Sequence, residues 1–590
     1  MSKASTPTAD ETLQSGACPW MKLCMALPLA GAVLAGCSGG GDAGPGGPGA
    51  PGVGAGGSEI TDLPNPDPGE DPVNVTPVPN PNPFPDSGMP GPTLPDGGVP
   101  LPPPPPGPPL KCPQAADLAI EQVAIYQTTK IVLARNGKSV DLMQRETDVV
   151  AGRKSAIRVF VERGMGFQPR TITAQLTILA GPSAAPETHE QHKMVTGDST
   201  DRDGGSTFNF KLPGETIGAD TRLSIELLEG TPCTVIRPNI VPNEGARWPA
   251  VDLADLGARQ VGALKVVIVP IRYDTDGSMR LPDTSPAEVE KFKEALLATY
   301  PISATDLTVH APMKTMRNLG AQGTNWSTML DSVLALRRRD MVADDVFYYG
   351  LIMPAESARA YCSGGCVAGI APEASRNAVN QRGALGLGFS GNLAIDTFLH
   401  ELGHATGRAH SPCGGASRSD PKYPDPRGGI VVWGFDSRSD KLLDPKEYKD
   451  IMSYCDPTWF SAYTYQHILE RIAYINNQPF LVHAGIQRYR VLVQEVDGEL
   501  TWGRISDQTV PDAPAEWASV LDAKGAPVTR VQVYRQALED VDGAFIYVPE
   551  PDPSWHAIQL AGRAPLEFER RGPDVQKTSS PDSIADLDAL

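Results

Sequence analysis

The stretch from His400 to His410 reads HELGHATGRAH, and it holds three of the chain's nine histidines at spacings of four and six. Helical residues four apart share a face, so His400 and His404 can direct their imidazoles to a single point. Gly407 can adopt the left-handed conformation that ends a helix, which lets the chain turn back and bring His410 to that point from outside. Three neutral imidazole nitrogens around an open fourth position make a catalytic zinc site, whereas a closed set of four ligands would be structural. Glu401, beside the first ligand, is placed to accept a proton from the attacking water. The plain alternative is a core helix whose histidines align by accident. Five specified residues at fixed spacing, HExxHxxGxxH, argue against it.

Such a helix needs a scaffold, and the surrounding pattern predicts one. Leu264–Ile271 is a near-continuous apolar strand, and Pro286–Thr299 reads as a helix with proline in its first turn. Leu307–His310 reads as a strand, Trp326–Arg338 as a helix and Val346–Ile352 as a strand, while Val367–Ala371 follows the glycine-rich CSGGC as an edge strand. The histidine-bearing helix then runs from about Leu393 to Thr406. Alternating strands and helices imply a mixed, mainly parallel sheet with helices packed on it, in an α/β domain over 262–484.

The chain is therefore read as multidomain, with β-sandwich-like modules flanking this α/β domain. Residues 112–255 hold short Val-, Ile-, Leu- and Thr-rich runs, including Leu118–Tyr126, Ala156–Glu162, Thr171–Leu179, Thr207–Leu212 and Thr221–Leu228. His189 and His192 fall between these runs and read as a polar surface loop. Residues 485–590 return to β patterning, with Arg490–Val496 and Glu499–Arg504 expected to form a hairpin on a type I′ turn at Asp497-Gly498. Nothing in that last region indicates what it contacts.

HELGHATGRAH resembles the zinc signature of the metzincin clan of metallopeptidases, and Asp450-Ile451-Met452-Ser453-Tyr454 resembles the clan's downstream methionine turn. The resemblance covers roughly residues 263–483. It implies one catalytic Zn2+ held by His400, His404 and His410, with Glu401 as base and Met452 as an apolar floor beneath the imidazoles. Tyr454, two residues after Met452, would by the same resemblance direct its hydroxyl at the developing oxyanion, a role that suits a phenol donor. The edge strand at Val367–Ala371 would pair with an extended peptide. Ser411 after the third histidine is similar to matrixins and the MxY turn to astacins and serralysins, so no one subfamily fits. Asp396, four residues before His400, is explained as well by the helix dipole and is left out of the site.

The termini and the cysteines supply an address. An apolar run from Met21 to Leu34 ends at Leu34-Ala35-Gly36-Cys37, too short to span a bilayer, and resembles a bacterial lipoprotein signal over residues 1–37 in which Cys37 is lipidated. Met21 is a better start than Met1 because Asp10 and Glu11 spoil the region before it. Residues 38–111, rich in Gly and Pro, read as a disordered tether to the membrane of the cell envelope. Once Cys18, Cys24 and Cys37 are set aside, the candidates for disulfides are Cys112 with Cys233, Cys362 with Cys366, and Cys413 with Cys455. A net charge of −19 with no basic stripe excludes nucleic acid as a partner. The expectation is a lipid-anchored zinc endopeptidase acting on protein or peptide substrates. The competing reading is a non-catalytic adhesin or binding lipoprotein on the same scaffold. Degeneration of that kind removes the base or a ligand, and here all four remain.

Overall fold

Alternate residues of Ala263–Tyr273 enter two different cores, which makes this strand the axis of the α/β domain. Leu264, Val266 and Ile268 face one core, and Val269, Ile271 and Tyr273 face the other. A strand buried on both faces is the mark of a sheet covered on both sides. In this computed structural model, which describes residues 112–230, 243–477 and 485–568, the sheet order is Ala304–Val309, Ala263–Tyr273, Val346–Ile352, Gly383–Leu387, Gly369–Ile370. Met313–Thr315 pairs with the far end of Ala263–Tyr273. All pairings are parallel except the last, where Gly369–Ile370 runs antiparallel to Gly383–Leu387 at the sheet edge. The edge strand is thus shorter than the Val367–Ala371 expected.

One face of this sheet is covered by the helices Pro286–Thr299, Asn392–Ala405 and Ala462–Asn476, which share Phe292, Leu296, Phe398, Leu402, Ile468 and Ile472 with it. The other face carries the helix Trp326–Arg339 and, beyond it, strands of the C-terminal region. Gly350 makes this second face thin, since a Cβ there would lie 2.9 Å from Val333 Cγ2 of that helix.

Residues 112–230 and 243–255 form two antiparallel sheets over one core. The first is ordered Lys138–Ser139, Lys130–Arg135, Leu118–Tyr126, Ser155–Arg163, Phe208–Leu212. The second runs Ala254–Asp255, Arg222–Glu229, Arg170–Leu179, Glu187–Val195, with Arg247–Trp248 also on Arg222–Glu229. Ile125, Val159, Leu176 and Ile225 pack between the sheets. His189 and His192 are not in a loop but on the strand Glu187–Val195. Its sequence, ETHEQHKMV, is polar on both faces, so periodicity gives no sign of it. It forms because an outer strand needs only backbone pairing, here with residues 170–178 of the neighbouring strand.

The C-terminal region is one seven-stranded antiparallel sheet ordered Leu500–Gln508, Gln487–Gln494, Ala544–Pro549, Pro527–Ala537, Ala515–Leu521, Ala557–Gln559, Leu566–Glu567. Its first hairpin does not use a type I′ turn. Gly498 has φ +84° and Asp497 is absent from the residues with positive φ. The Glu495 amide donates to Glu499 O at 3.0 Å and Gly498 N to Glu495 O at 2.9 Å. The loop is therefore one residue longer and closes on a left-handed glycine.

Cys37, the tether and Cys233 lie outside the described residues. Cys112 takes part in a disulfide, while Cys362–Cys366 and Cys413–Cys455 are bonded as expected. No helix among the described residues is long and apolar enough to cross a membrane.

Candidate metal centre

The helix Asn392–Ala405 buries Ala394, Phe398, Leu402 and Ala405 in the core and carries His400 and His404 on another face. Gly407 ends it at φ +85°. A Cβ there would lie 2.9 Å from Ala374 O and strike the Arg471 guanidinium, so only glycine fits. The turn does two jobs. It sends the chain back to His410, and it places Arg408 O where it accepts a hydrogen bond from His404 Nδ1 at 2.6 Å.

The other two imidazoles are held the same way. His400 Nδ1 donates to Ile451 O at 2.7 Å and His410 Nδ1 to Ser417 O at 2.9 Å. With each Nδ1 committed to a carbonyl, the Nε2 of each imidazole is a lone pair in its neutral form. Yet His400 Nε2 and His404 Nε2 lie 3.1 Å apart. Two lone pairs at that distance repel unless a cation lies between them.

A fourth group, not foreseen from the sequence, completes the cluster. Asp540 comes from the turn between Pro527–Ala537 and Ala544–Pro549, and its ligand atoms lie with those of the three histidines within 4.8 Å of one another. Its Oδ1 is 3.2 Å from His410 Nε2 and 3.7 Å from His400 Nε2, and its Oδ2 is 3.4 Å from His404 Nε2. A tetrahedron with metal–ligand bonds of 2.0–2.1 Å has edges of about 3.3 Å. The buried Oδ2 has no hydrogen-bond partner, and neither has Oε2 of Glu401. The donor set, its spacing and these orphaned oxygens fit a divalent ion such as zinc.

The electrostatics agree that one positive charge belongs here. Burial, then the neighbouring His410, push His404 down to about 4, so it stays neutral. At His410 burial works against charge, but Asp540 and Glu539 outweigh it and raise the imidazole to about 10. Burial, then the charges of Asp540 and Glu539, lift the Glu401 carboxyl well above the usual carboxylate range. A cation at the imidazoles would draw it back toward the ionised form a base requires.

Glu401 is 2% exposed and lies directly under the edge strand. A Cβ on Gly369 would sit 2.6 Å from its Oε1, so the strand approaches the carboxylate as closely as a backbone can. Met452 is fully buried beneath the helix, its Sδ at 2.5 Å from where a Cβ on Gly403 would be. Asp450 fixes this turn, accepting from Met452 N at 2.9 Å and from Ser461 N at 3.0 Å. Tyr454 packs edge-on against His410 with ring centroids 4.8 Å apart, and its hydroxyl donates to Asp540 Oδ1 at 2.5 Å. Burial, then the charge on Asp540, raise this phenol, so it remains a donor. The disulfide Cys413–Cys455 ties the loop after His410 to the methionine turn. A cleft of about 380 Å³ opens over these groups, lined among others by Val367, Gly369, Asp396, Arg418 and Tyr454, with Cys366 at its rim bringing in the second disulfide.

The structure thus brings His400, His404, His410, Glu401, Met452 and Tyr454 together. Sequence reasoning missed Asp540, Glu539 and Arg418. Glu539-Asp540-Val541-Asp542-Gly543 reads as an ordinary solvated turn, and only the fold reveals that it is seated in the cleft.

These features describe a candidate metal centre. Residues 368–458 match the sequence model of the peptidase M66 family, a family of metallopeptidases. The matched span runs from the edge strand past Tyr454 and stops before Asp540. It supports a peptidase of the metallopeptidase type. No match is found among curated proteins. Among solved structures, one similar chain is a candidate beta-galactosidase from Bacteroides fragilis, 10% identical, with 70% of this chain and 73% of that chain covered. At a TM-score of 0.12 that likeness carries no argument.

Proposed function

We propose that the chain is a metzincin-like zinc endopeptidase that hydrolyses peptide bonds of extracellular or surface proteins. One observation carries this reading: three imidazoles, each oriented by a backbone carbonyl, present Nε2 atoms to one point beside a buried glutamate and a sheet edge. His400, His404 and His410 would hold the ion. When bound, zinc supplies a Lewis acid and lowers the pKa of a water ligand to about 7.

The remaining work falls to the chain. The edge strand Gly369–Ile370 offers backbone groups to an extended peptide, so recognition rests on the main chain. Glu401, packed under that strand, accepts the proton of the attacking water and returns it to the leaving amine. Tyr454 can donate to the oxyanion once its hydroxyl is released from Asp540. Met452 fixes the helix that carries two of the imidazoles. We further propose that Cys37 anchors the chain by lipid to the bacterial cell envelope, with residues 38–111 as the tether.

The test measures metal content by mass spectrometry and turnover of an unstructured protein substrate. The parent chain should hold close to one zinc, and His404→Ala should lose both metal and cleavage. Glu401→Gln should keep the zinc and the fold while turnover falls at least about 10²-fold, the usual scale for losing a general base. A parent chain that binds no metal with all three histidines intact overturns the reading and favours a binding lipoprotein instead.

A further inference from the structure

The turn that carries Asp540 does not merely approach the cleft. It is docked there by contacts that imitate a bound peptide. Leu538 forms an antiparallel bridge with Pro372, directly after the edge strand, and Glu539 N donates to Ala371 O at 3.0 Å. Upstream, Gln536 Nε2 donates to Glu373 O at 3.2 Å. From the other side the Arg418 guanidinium donates to Leu538 O and its Nε lies 3.1 Å from Glu539 Oε1. Leu538 is fully buried and Glu539 is 2% exposed. Backbone pairing along a sheet edge is the way an extended segment adds to a sheet.

At the end of this segment stands the carboxylate. Asp540 has φ +66°, a left-handed conformation that aspartate tolerates better than most residues. The conformation turns its side chain into the imidazole cluster, where only 12% of it is exposed. Its Oδ1 takes the Tyr454 hydroxyl and its Oδ2 faces His404 with no hydrogen bond of its own. A carboxylate among three imidazoles, with a phenol donating to one oxygen, has the arrangement of the carboxylate that peptide hydrolysis would leave at the metal.

On the metallopeptidase reading above, on which this inference rests, we infer that Asp540 is a fourth protein ligand of the metal. The segment Leu538–Asp540 is then a built-in competitor that occupies the cleft in the manner of a product. The centre has four protein ligands while the turn is seated, and the position needed for water opens when a substrate displaces it. The C-terminal sheet is accordingly part of the metal site, and it limits cleavage.

Asp540→Asn tests this with little risk to the fold, since asparagine also tolerates left-handed backbone and can still accept from Tyr454. Asp512→Asn, at an exposed position in the loop between Leu500–Gln508 and Ala515–Leu521 and outside the cleft, is the control. Zinc affinity is read by competition with a chromophoric chelator, coordination by the visible spectrum of the cobalt-substituted protein, and turnover with a quenched peptide at saturating zinc. Asp540→Asn should bind zinc about 10- to 100-fold more weakly and shift the cobalt spectrum. Its kcat/KM should rise about 10-fold, as expected when an occupant held by about 1.4 kcal/mol is removed. Asp512→Asn should match the parent in all three. Unchanged zinc affinity and cobalt spectrum in Asp540→Asn overturn the ligand assignment, and turnover that is unchanged or lower overturns the competitor. Failure of the metallopeptidase reading looks different, because then the parent itself takes up neither zinc nor cobalt.

Discussion

The N-terminal module meets the α/β domain through hydrogen bonds and a small apolar cluster of Ala124, Tyr126 and Phe160 against Phe435, and the C-terminal module meets it through a larger shared apolar core. At the first junction, buried Arg153 donates to Ala298 O at 2.9 Å and Thr128 Oγ1 donates to Ala298 O and Thr299 O at 2.9 and 3.2 Å. These are carbonyls at the end of the helix Pro286–Thr299, where a cation and donors are favoured. At the second junction Tyr489, Val491, Val493, Leu538, Phe545 and Tyr547 pack with Val269, Ile271, Trp326, Val333 and Leu385 in one core. Asp331 and Arg504 are paired beneath it, with Arg504 N also donating to Asp331 Oδ2 at 2.8 Å. Two flanks of similar β texture therefore have different standing. One is seated on the domain, and the other completes it and reaches its candidate metal centre.

The largest expected effect comes from cutting into the shared core. Phe545 is fully buried, lies two residues after the Asp540 turn at Gly543, and carries the Arg504 guanidinium 4.6 Å from its ring centroid. Phe545→Ala should cost about 3–5 kcal/mol, the usual range for emptying an aromatic site. Loss should appear as one cooperative transition in denaturant, and zinc should be released more readily because the turn above the metal loses its support. Two separate transitions, with zinc retention unchanged, would show that the C-terminal sheet is an independent module.

Why the histidine helix was legible and the C-terminal flank's part in the cleft was not follows from where the information sits. His400, Glu401, His404 and His410 lie within eleven residues, so helix geometry and one glycine suffice to place them. Strands such as Val346–Ile352 and the helix Pro286–Thr299 announce themselves by continuous apolarity or by capping. Asp540 gives no such sign, because its role depends on a pairing between Leu538 and Pro372 across more than a hundred and sixty positions of sequence. The strands Ala515–Leu521 and Pro527–Ala537 were missed for a related reason: their exposed faces are polar or mixed, and the sheet, not their pattern, makes them strands.

A second effect tests the front of the cleft from the side of the methionine turn. The disulfide Cys413–Cys455 closes a loop with a sequence separation of 42. Cys455→Ser should lower stability by about 2–4 kcal/mol through the greater freedom of the unfolded chain, and zinc should exchange faster because the bridge ties the segment that follows His410 to the turn that carries Tyr454. Reducing the parent with dithiothreitol should shift a thermal melt by at least as much, and the variant should shift by less, since only its other disulfides remain to be opened.

The third is a pH effect confined to the cleft. Burial, then the charge of Asp456, raise Asp396 to about 6, while unfolded aspartate titrates near 3.9. Between these values the folded chain holds the proton and the unfolded chain has released it, so stability falls as pH rises through that window and is level above it. Asp396→Asn removes the penalty. It should be about 1–2 kcal/mol more stable than the parent at pH 8, after discounting for partial exposure, and indistinguishable from it at pH 4. Denaturant titrations at the two pH values measure the difference, and an equal gain at both would show that charge is not the cause.

The smallest effect belongs to the N-terminal junction. Thr128→Val keeps the shape of a fully buried side chain and removes the hydroxyl whose one proton is shared between Ala298 O and Thr299 O. Arg153 Nη2 loses an acceptor at 2.5 Å but still donates to Ala298 O and to Gln127 O. No charge is left bare, so the cost should be about 1 kcal/mol, the net worth of a typical buried hydrogen bond. Zinc affinity should match the parent within about a factor of two, since 1.4 kcal/mol would be needed for a tenfold change and Thr128 touches none of the ligands. Chelator competition alongside a denaturant titration settles it: a Thr128→Val chain that loses zinc as readily as Phe545→Ala would mean that both flanks, and not the C-terminal one alone, hold the metal centre together.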